Sequence, residues 1–186
     1  MEFKRPFLVG KIIYLQPMDS SCYEGKYLNW VNDNEIIDNM GTLFFPTTEE
    51  SLLAYLKEKS DRSDCAFFAI RLKETDDFVG TVKLDSINWV HRTAYFGRMI
   101  GSKDCRGKGI GTESTELILS YGFDRLNLHW IGAGMVAENK ASIKSNEKAG
   151  MRELARIPNQ LWFKGRYVDS ITMGVTAEEY YGITDT

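Results

Sequence analysis

Apolar residues fall in short runs along this chain, and their spacing alternates between strand-like and helix-like. Lys11 to Gln16 predicts a first strand, because Ile12, Ile13, Tyr14 and Leu15 are bulky, β-favouring residues in succession. A helical region follows from about Ser21 to Ile37. Phe44-Phe45-Pro46 reads as a loop, and Thr47-x-x-Glu50 as a capping box opening a helix that carries Leu52, Leu53, Tyr55 and Leu56. Ala66 to Leu72 and Phe78 to Leu84 predict paired strands around the polar turn Lys73 to Asp77. Thr93 to Ile100 predicts the next strand, with Gly97 inside it marking a bulge or a close backbone approach to a ligand. Gly111 to Leu126 is helical and apolar over much of its girth, hence largely buried. Leu128 to Ala137 reads as a strand, Lys140 to Ala149 as a short helix, and two last strands meet at Lys164-Gly165. The order is mixed α/β, ending in an antiparallel hairpin. No repeat, low-complexity tract or Pro/Gly-rich linker divides it, so a single domain over 1–186 is expected.

One segment fits neither strand nor helix. Between Ile100 and the helix stand Gly101-Ser102-Lys103-Asp104-Cys105-Arg106-Gly107-Lys108-Gly109-Ile110-Gly111-Thr112. Alternating glycines leave backbone N–H groups open to a ligand, because no Cβ blocks the way. The helix that follows adds partial positive charge, so the loop suits a phosphate or pyrophosphate. A plain tight turn does not call for three glycines flanked by Arg106 and Lys108. A P-loop needs Lys followed by Ser or Thr, whereas Lys108 precedes Gly109. A dinucleotide fingerprint needs G-x-G-x-x-G, and the spacing here is G-x-G-x-G.

Composition narrows the partner. A 186-residue chain with 43% hydrophobic and 26% charged residues is an ordinary globule with a sizeable core. Its net charge of −3 argues against nucleic acid or an anionic membrane. Even so, Arg98, Lys103, Arg106 and Lys108 gather around the glycines, as a small polyanion would require. The three cysteines, Cys22, Cys65 and Cys105, are too few and too scattered for a zinc site or disulfide framework. No metal cluster is seen. Without a signal peptide or a membrane-length apolar run, a cytoplasmic location is expected.

Arg106-Gly107-Lys108-Gly109-Ile110-Gly111 resembles the acyl-CoA pyrophosphate loop, R/Q-x-x-G-x-G/A, of the GNAT superfamily of N-acetyltransferases. Asn139 to Met151 resembles that family's second signature, N-x-x-[AS]-x-x-x-x-E-x-x-G-[FM], and Ile87 to Ala94 the lead-in to its fourth strand. Phe163-Lys164-Gly165-Arg166-Tyr167-Val168-Asp169 is similar to a hairpin of the ribosomal-protein N-terminal acetyltransferase (RimJ/RimL-like) branch. Ile87 to Phe96 also resembles spermidine acetyltransferases. The resemblance implies the GNAT fold, a mixed central β-sheet with a splayed fourth strand flanked by helices. It also implies acetyl-CoA as cosubstrate, no metal, and a primary amine as acceptor. A peptide N-terminus is the first choice of acceptor, with a polyamine, an amino sugar or an antibiotic as alternatives; the alternative function is that of a catalytically weak CoA-binding regulator. A homodimer is left open.

Acetyl transfer to an amine needs a deprotonated nucleophile, a stabilised oxyanion and a leaving thiolate. By resemblance, the cosubstrate meets Met99, Ile100 and Gly101 of the strand, the loop amides from Arg106 through Gly107, Lys108, Gly109, Ile110, Gly111 and Thr112, and then Asn139, Ser142 and Asn146. The last three are spaced to share one helix face. Relatives often carry Tyr where Asn146 stands and Glu where Tyr95 stands. Ser142 is therefore the candidate for helping the thiolate leave, and Tyr95 either substitutes through its hydroxyl or packs. No residue is singled out as general base. Cys105 has no base beside it, His91 reads as a turn residue, and His129 as the start of a buried strand. Tyr27, Trp30, Phe44, Phe45 and Trp162 are candidate acceptor contacts, and Glu35, Asp38 and Glu49 candidate anchors for a cationic amine.

Overall fold

The computed structural model describes residues 6–18, 25–40 and 45–182. Its strands are β1 (Leu8–Val9), β2 (Ile13–Pro17), β3 (Ala66–Leu72), β4 (Phe78–Asn88), β5 (Thr93–Ile100), β6 (Trp130–Val136), β7 (Arg152–Phe163) and β8 (Arg166–Thr176). Among the described residues six α-helices are interleaved: α1 (Lys26–Trp30), α2 (Asn34–Ile37), α3 (Glu49–Asp61), α4 (Ile110–Ser120), α5 (Lys140–Lys148) and α6 (Ala177–Tyr181). The strands form one sheet in the order β1-β2-β3-β4-β5-β6-β8-β7. All neighbours are antiparallel except β5 and β6, whose parallel pairing covers only Thr93–Tyr95 against Trp130–Gly132. Beyond Tyr95 the two strands part. This is the splay implied by the sequence resemblance, and the two-residue β1 makes the splayed strand the fifth in this chain.

Both faces of the sheet are covered. Phe68, Ile70, Val82, Leu84 and Phe96 pack with Ile118 and Leu119 of α4. Phe67, Ala69, Phe78 and Met99 face the other way, against Tyr27, Val31, Leu52 and Leu56. That is why β3 reads as an unbroken apolar run rather than an alternating one.

Several boundaries differ from the sequence reading for identifiable reasons. The helical region before Ile37 is two short helices, with 21–24 outside the described residues. The cap of α3 is Thr48 with Ser51, one residue later than the expected Thr47–Glu50 pair. Asn32 accounts for the shift: its side chain accepts from the Thr47 N–H and donates to the Thr47 carbonyl, each at 2.9 Å, holding Thr47 outside the helix. β4 runs four residues past the expected Leu84. α4 ends at Ser120 and widens into a π turn over Tyr121–Arg125. Gly97 sits in regular register opposite Lys83, and the irregularity falls between Asp85 and Asn88, so Gly97 makes no bulge. At the hairpin tip, Lys164 and Gly165 take φ of 47° and 85°, as a two-residue primed turn demands. Cys65 is half-buried and Cys105 buried, both as free thiols, and Cys22 lies outside the described residues.

Candidate active site

The glycine loop delivers what its sequence promises, through conformation more than space. Gly107 and Gly109 adopt φ of 74° and 84°, a region that side chains with a Cβ enter at a cost. A Cβ on Gly107 would meet nothing within 4 Å, so steric room is not what selects glycine there. α4 starts at Ile110 with Gly109 as an N-cap that offers no side-chain oxygen. The first-turn amides consequently have no partner within the helix and point out of its N-terminus. Glu113 holds this end in place by accepting from the Ile12 N–H at 3.0 Å.

A cleft of about 560 Å3 opens in front of these amides. From β5 it takes Met99 and Ile100, and from the loop Arg106, Gly107, Gly109, Gly111 and Thr112. Asn139, the cap of α5, and Ser142 lie on the opposite wall, and Glu35 and Glu138 bring carboxylates to the lining. Other expected residues lie elsewhere. Lys108 is exposed and off the lining, and Ile110 is 2% exposed in the core. The Arg106 N–H is taken by the Lys103 carbonyl at 3.1 Å, which leaves the amides from Gly107 onward. Gly101 backs onto the Trp30 ring, and its N–H donates to the Val79 carbonyl at 3.0 Å. Strand alternation then turns the amides of Arg98 and Ile100 toward the splay, so Ile100, not Gly101, presents an amide to the opening.

α5 does share its polar face as expected, but at two depths. Asn139 is the N-cap, its side chain accepting from the Ser142 N–H at 3.1 Å. Asn146 is 1% exposed, beneath the cleft rather than on it. Its Oδ1 accepts from Arg98 and from the Thr115 hydroxyl, each at 3.4 Å. The sequence reading passed over Lys140, Lys144 and Lys148, which line the cleft along the same helix. Their spacing of four residues was the available signal.

Electrostatics in the cleft favour a polyanion. Glu35 bridges Lys103 and Arg106 at 2.6 Å each, and those bonds, the Lys103 one first, hold its carboxyl below the usual range. Glu35 is thus committed to fixing the loop rather than free to anchor an amine. Asp38 pairs with Lys164 at 3.4 Å, and Glu49 lies in the first turn of α3. Arg98 is part-buried between α4 and α5, where desolvation pulls its guanidinium down to about 10, still charged at neutral pH.

A second cavity, of about 450 Å3, lies on the other face of the sheet, against Gly97 and Met99 of β5. Tyr27, Tyr55, Phe67, Lys59 and Lys83 line it, and among the described lining residues there is no carboxylate. Asp85, just behind, accepts from Lys83 at 2.6 Å and Lys59 at 3.0 Å. Burial pushes Asp85 up, but the two lysine hydrogen bonds outweigh it and bring the carboxyl down to about 2. Tyr27 is buried here, and desolvation raises its phenol well above the ordinary value.

The remaining candidates are not brought to either cavity. Tyr95 is 51% exposed and meets the Trp130 ring edge-on, at the end of β5 away from the glycine loop. His91 sits in an exposed turn, its N–H donating to Asn88 Oδ1 at 2.8 Å. His129 is half-buried, with Nδ1 3.8 Å from Glu178. Trp162 is exposed beside Tyr167, Phe45 is exposed, and Trp30 packs on Phe78. Phe44 lies outside the described residues. Among those described, no cluster of His, Cys, Asp and Glu could hold a metal, and no helix is long and apolar enough to cross a membrane.

Comparison with known proteins agrees with this geometry. The acetyltransferase (GNAT) domain family model matches residues 13–152. An SPbeta prophage-derived uncharacterized N-acetyltransferase, YokL, of Bacillus subtilis is 26% identical over 149 residues, 80% of this chain and 82% of its own. The spermidine N(1)-acetyltransferase of Escherichia coli is 33% identical over 101 residues, 54% of each chain. In fold, the spermidine N-acetyltransferase of Vibrio cholerae, solved with CoA and spermine, superposes with a TM-score of 0.82 at 23% identity, covering 91% of this chain and 98% of that one. Loop, splay and family match converge: the chain belongs to the GNAT acetyltransferases, and its chemistry is N-acetyl transfer from acetyl-CoA.

Proposed function

We propose that the cleft holds acetyl-CoA with its pyrophosphate on the amides of residues 107–112, and that the acceptor is a single primary amine, with a peptide N-terminus as first choice. The observation that carries this is the cleft itself: unpartnered helix amides, a line of lysines on α5, and an opening at the splay beside β5. A polyanion with a long neutral arm fits that sequence of surfaces. Ile100 offers the amide for the developing oxyanion, and Ser142 a hydroxyl to the departing sulfur. The chain acts in this reading as one catalytic domain.

Among acceptors, the second cavity favours a monoamine over a polyamine. Lys59 and Lys83 share one carboxylate there, so the lining is net positive, and a polycation would meet like charge. A polyamine remains the second reading because relatives named spermidine acetyltransferases align with this chain. A mass-spectrometric screen of peptides, spermidine and amino sugars, with acetyl-CoA, tests the assignment. Acetylated peptide N-termini are expected; acetylation of spermidine alone, or of an amino sugar alone, would overturn the acceptor while keeping the chemistry.

A further inference from the structure

Arg98 is a part-buried cation that has no carboxylate partner among the described residues. Its guanidinium donates to the Gly111 carbonyl at 2.7 Å, the Ser145 hydroxyl at 2.6 Å, Asn146 Oδ1 at 3.4 Å, Ser142 Oγ at 3.5 Å and the Thr115 hydroxyl. All five partners are neutral. A part-buried guanidinium on the wall of a cleft, held only by neutral groups, is placed to meet negative charge arriving with a ligand. The position says which charge. Carbonyls point along a helix toward its C-terminus, so the group bonded to the Gly111 carbonyl lies deeper than the amides that would meet the pyrophosphate. It lies where β5 leaves β6, and Arg98 borders both cavities.

We propose that Arg98 supplies the counter-charge for the sulfur that leaves acetyl-CoA; this rests on the acetyl-transfer reading above. The amine lone pair forms the C–N bond, the C–S bond breaks, and its electron pair goes to sulfur as a thiolate. The proton shed by the new ammonium centre neutralises that thiolate through solvent. The guanidinium faces the thiolate while it exists, which lowers the barrier by stabilising charge absent from the ground state. Arg98 also organises Ser142. The Ser145 hydroxyl spends its hydrogen on the Ser142 carbonyl at 2.9 Å, whereas Ser142 Oγ accepts from Arg98 and keeps its hydrogen for the sulfur.

The test is titration of the CoA thiol bound to the wild-type protein, followed by thiolate ultraviolet absorbance. A thiol pKa about one unit or more below that of free CoA is expected. Arg98→Lys should keep most of the shift. Arg98→Met, checked for folding by circular dichroism, should abolish it and cut kcat roughly 100-fold with KM for acetyl-CoA nearly unchanged. Because Arg106, Lys140, Lys144 and Lys148, and the carboxylates of Glu35 and Glu138, also face the cleft, the wild-type to Met difference isolates the guanidinium. Tight CoA binding with an unshifted thiol in the wild type would overturn the proposal and leave the function standing. No CoA binding at all would overturn both. A shift that survives in folded Arg98→Met would assign the charge to the lysines instead.

Discussion

The two cavities flanking β5 are built from different materials. The cleft before the glycine loop rests largely on backbone: amides of residues 107–112, φ-positive glycines, and one strand that parts from its neighbour. The second cavity is made of side chains that come from α1, α3, β3 and β4 and meet only in the folded chain. A backbone site must be written locally, because positive φ and free amides impose residue types at fixed spacing. A side-chain site imposes no spacing. The difference explains why the glycine loop is legible in the sequence and the second cavity is not, and each prediction below perturbs one cavity while monitoring the other.

The largest effect should come from Gly109→Val. A β-branched residue at a φ of 84° is strained whatever room surrounds it, so the loop must abandon its conformation. Calorimetry should find CoA affinity reduced more than about 100-fold in a protein that circular dichroism shows folded. Undiminished affinity would move the pyrophosphate elsewhere. Replacing Lys140, Lys144 and Lys148 together by Gln should cost less, about tenfold in CoA affinity. It should also flatten the salt dependence of binding, since exposed charges act through a screened field. If neither affinity nor its salt dependence moves, the lysine face is only solvated surface.

Legibility followed the same divide. The order of strands and helices, the closing hairpin and the loop were visible because periodicity and glycine spacing are local signals. The cap of α3 was misplaced by one residue because Asn32, fifteen positions away, decides which threonine stays outside the helix. Arg98 was seen only as one of four basic residues. Nothing local distinguishes a surface arginine from one enclosed by Gly111, Thr115, Ser145 and Asn146. Tyr95 was a candidate by position in a motif, but strand alternation and the Trp130 ring set it at the far, exposed end of β5. Asn146 fell on the expected face and still missed the cleft, because a face says nothing about depth.

Lys83→Gln probes the second cavity with a smaller effect. Asp85 keeps Lys59 at 3.0 Å, so the carboxylate stays paired and the fold should hold. Removing one cation should raise kcat/KM for spermidine relative to a peptide amine by roughly fivefold, as one lost like-charge contact near a protein surface would give. CoA affinity should not change. Equal ratios in wild type and variant would remove Lys83 from the acceptor's surroundings. A matching fall in CoA affinity would instead mean that the two cavities are one site.

Thr48→Ala should produce the smallest change and the cleanest separation. Thr48 Oγ1 accepts from the Ser51 N–H at 3.2 Å, and Ser51 Oγ accepts from the Thr48 N–H at 3.0 Å, so both bonds of the box hinge on this corner. Losing the threonine oxygen should cost about 1 kcal/mol, a drop of about 2–4 °C in Tm for a domain of this size. α3 carries Ser51, Leu52, Tyr55 and Lys59 into the second cavity, whereas the loop and α5 are anchored independently of it. A frayed first turn therefore loosens Ser51 and Leu52 first, and acceptor KM should rise about twofold while the CoA dissociation constant stays fixed. Equal loss of affinity for CoA would show that α3 supports the cleft as well, and that a side-chain cavity and a backbone cleft on opposite faces of β5 are mechanically one.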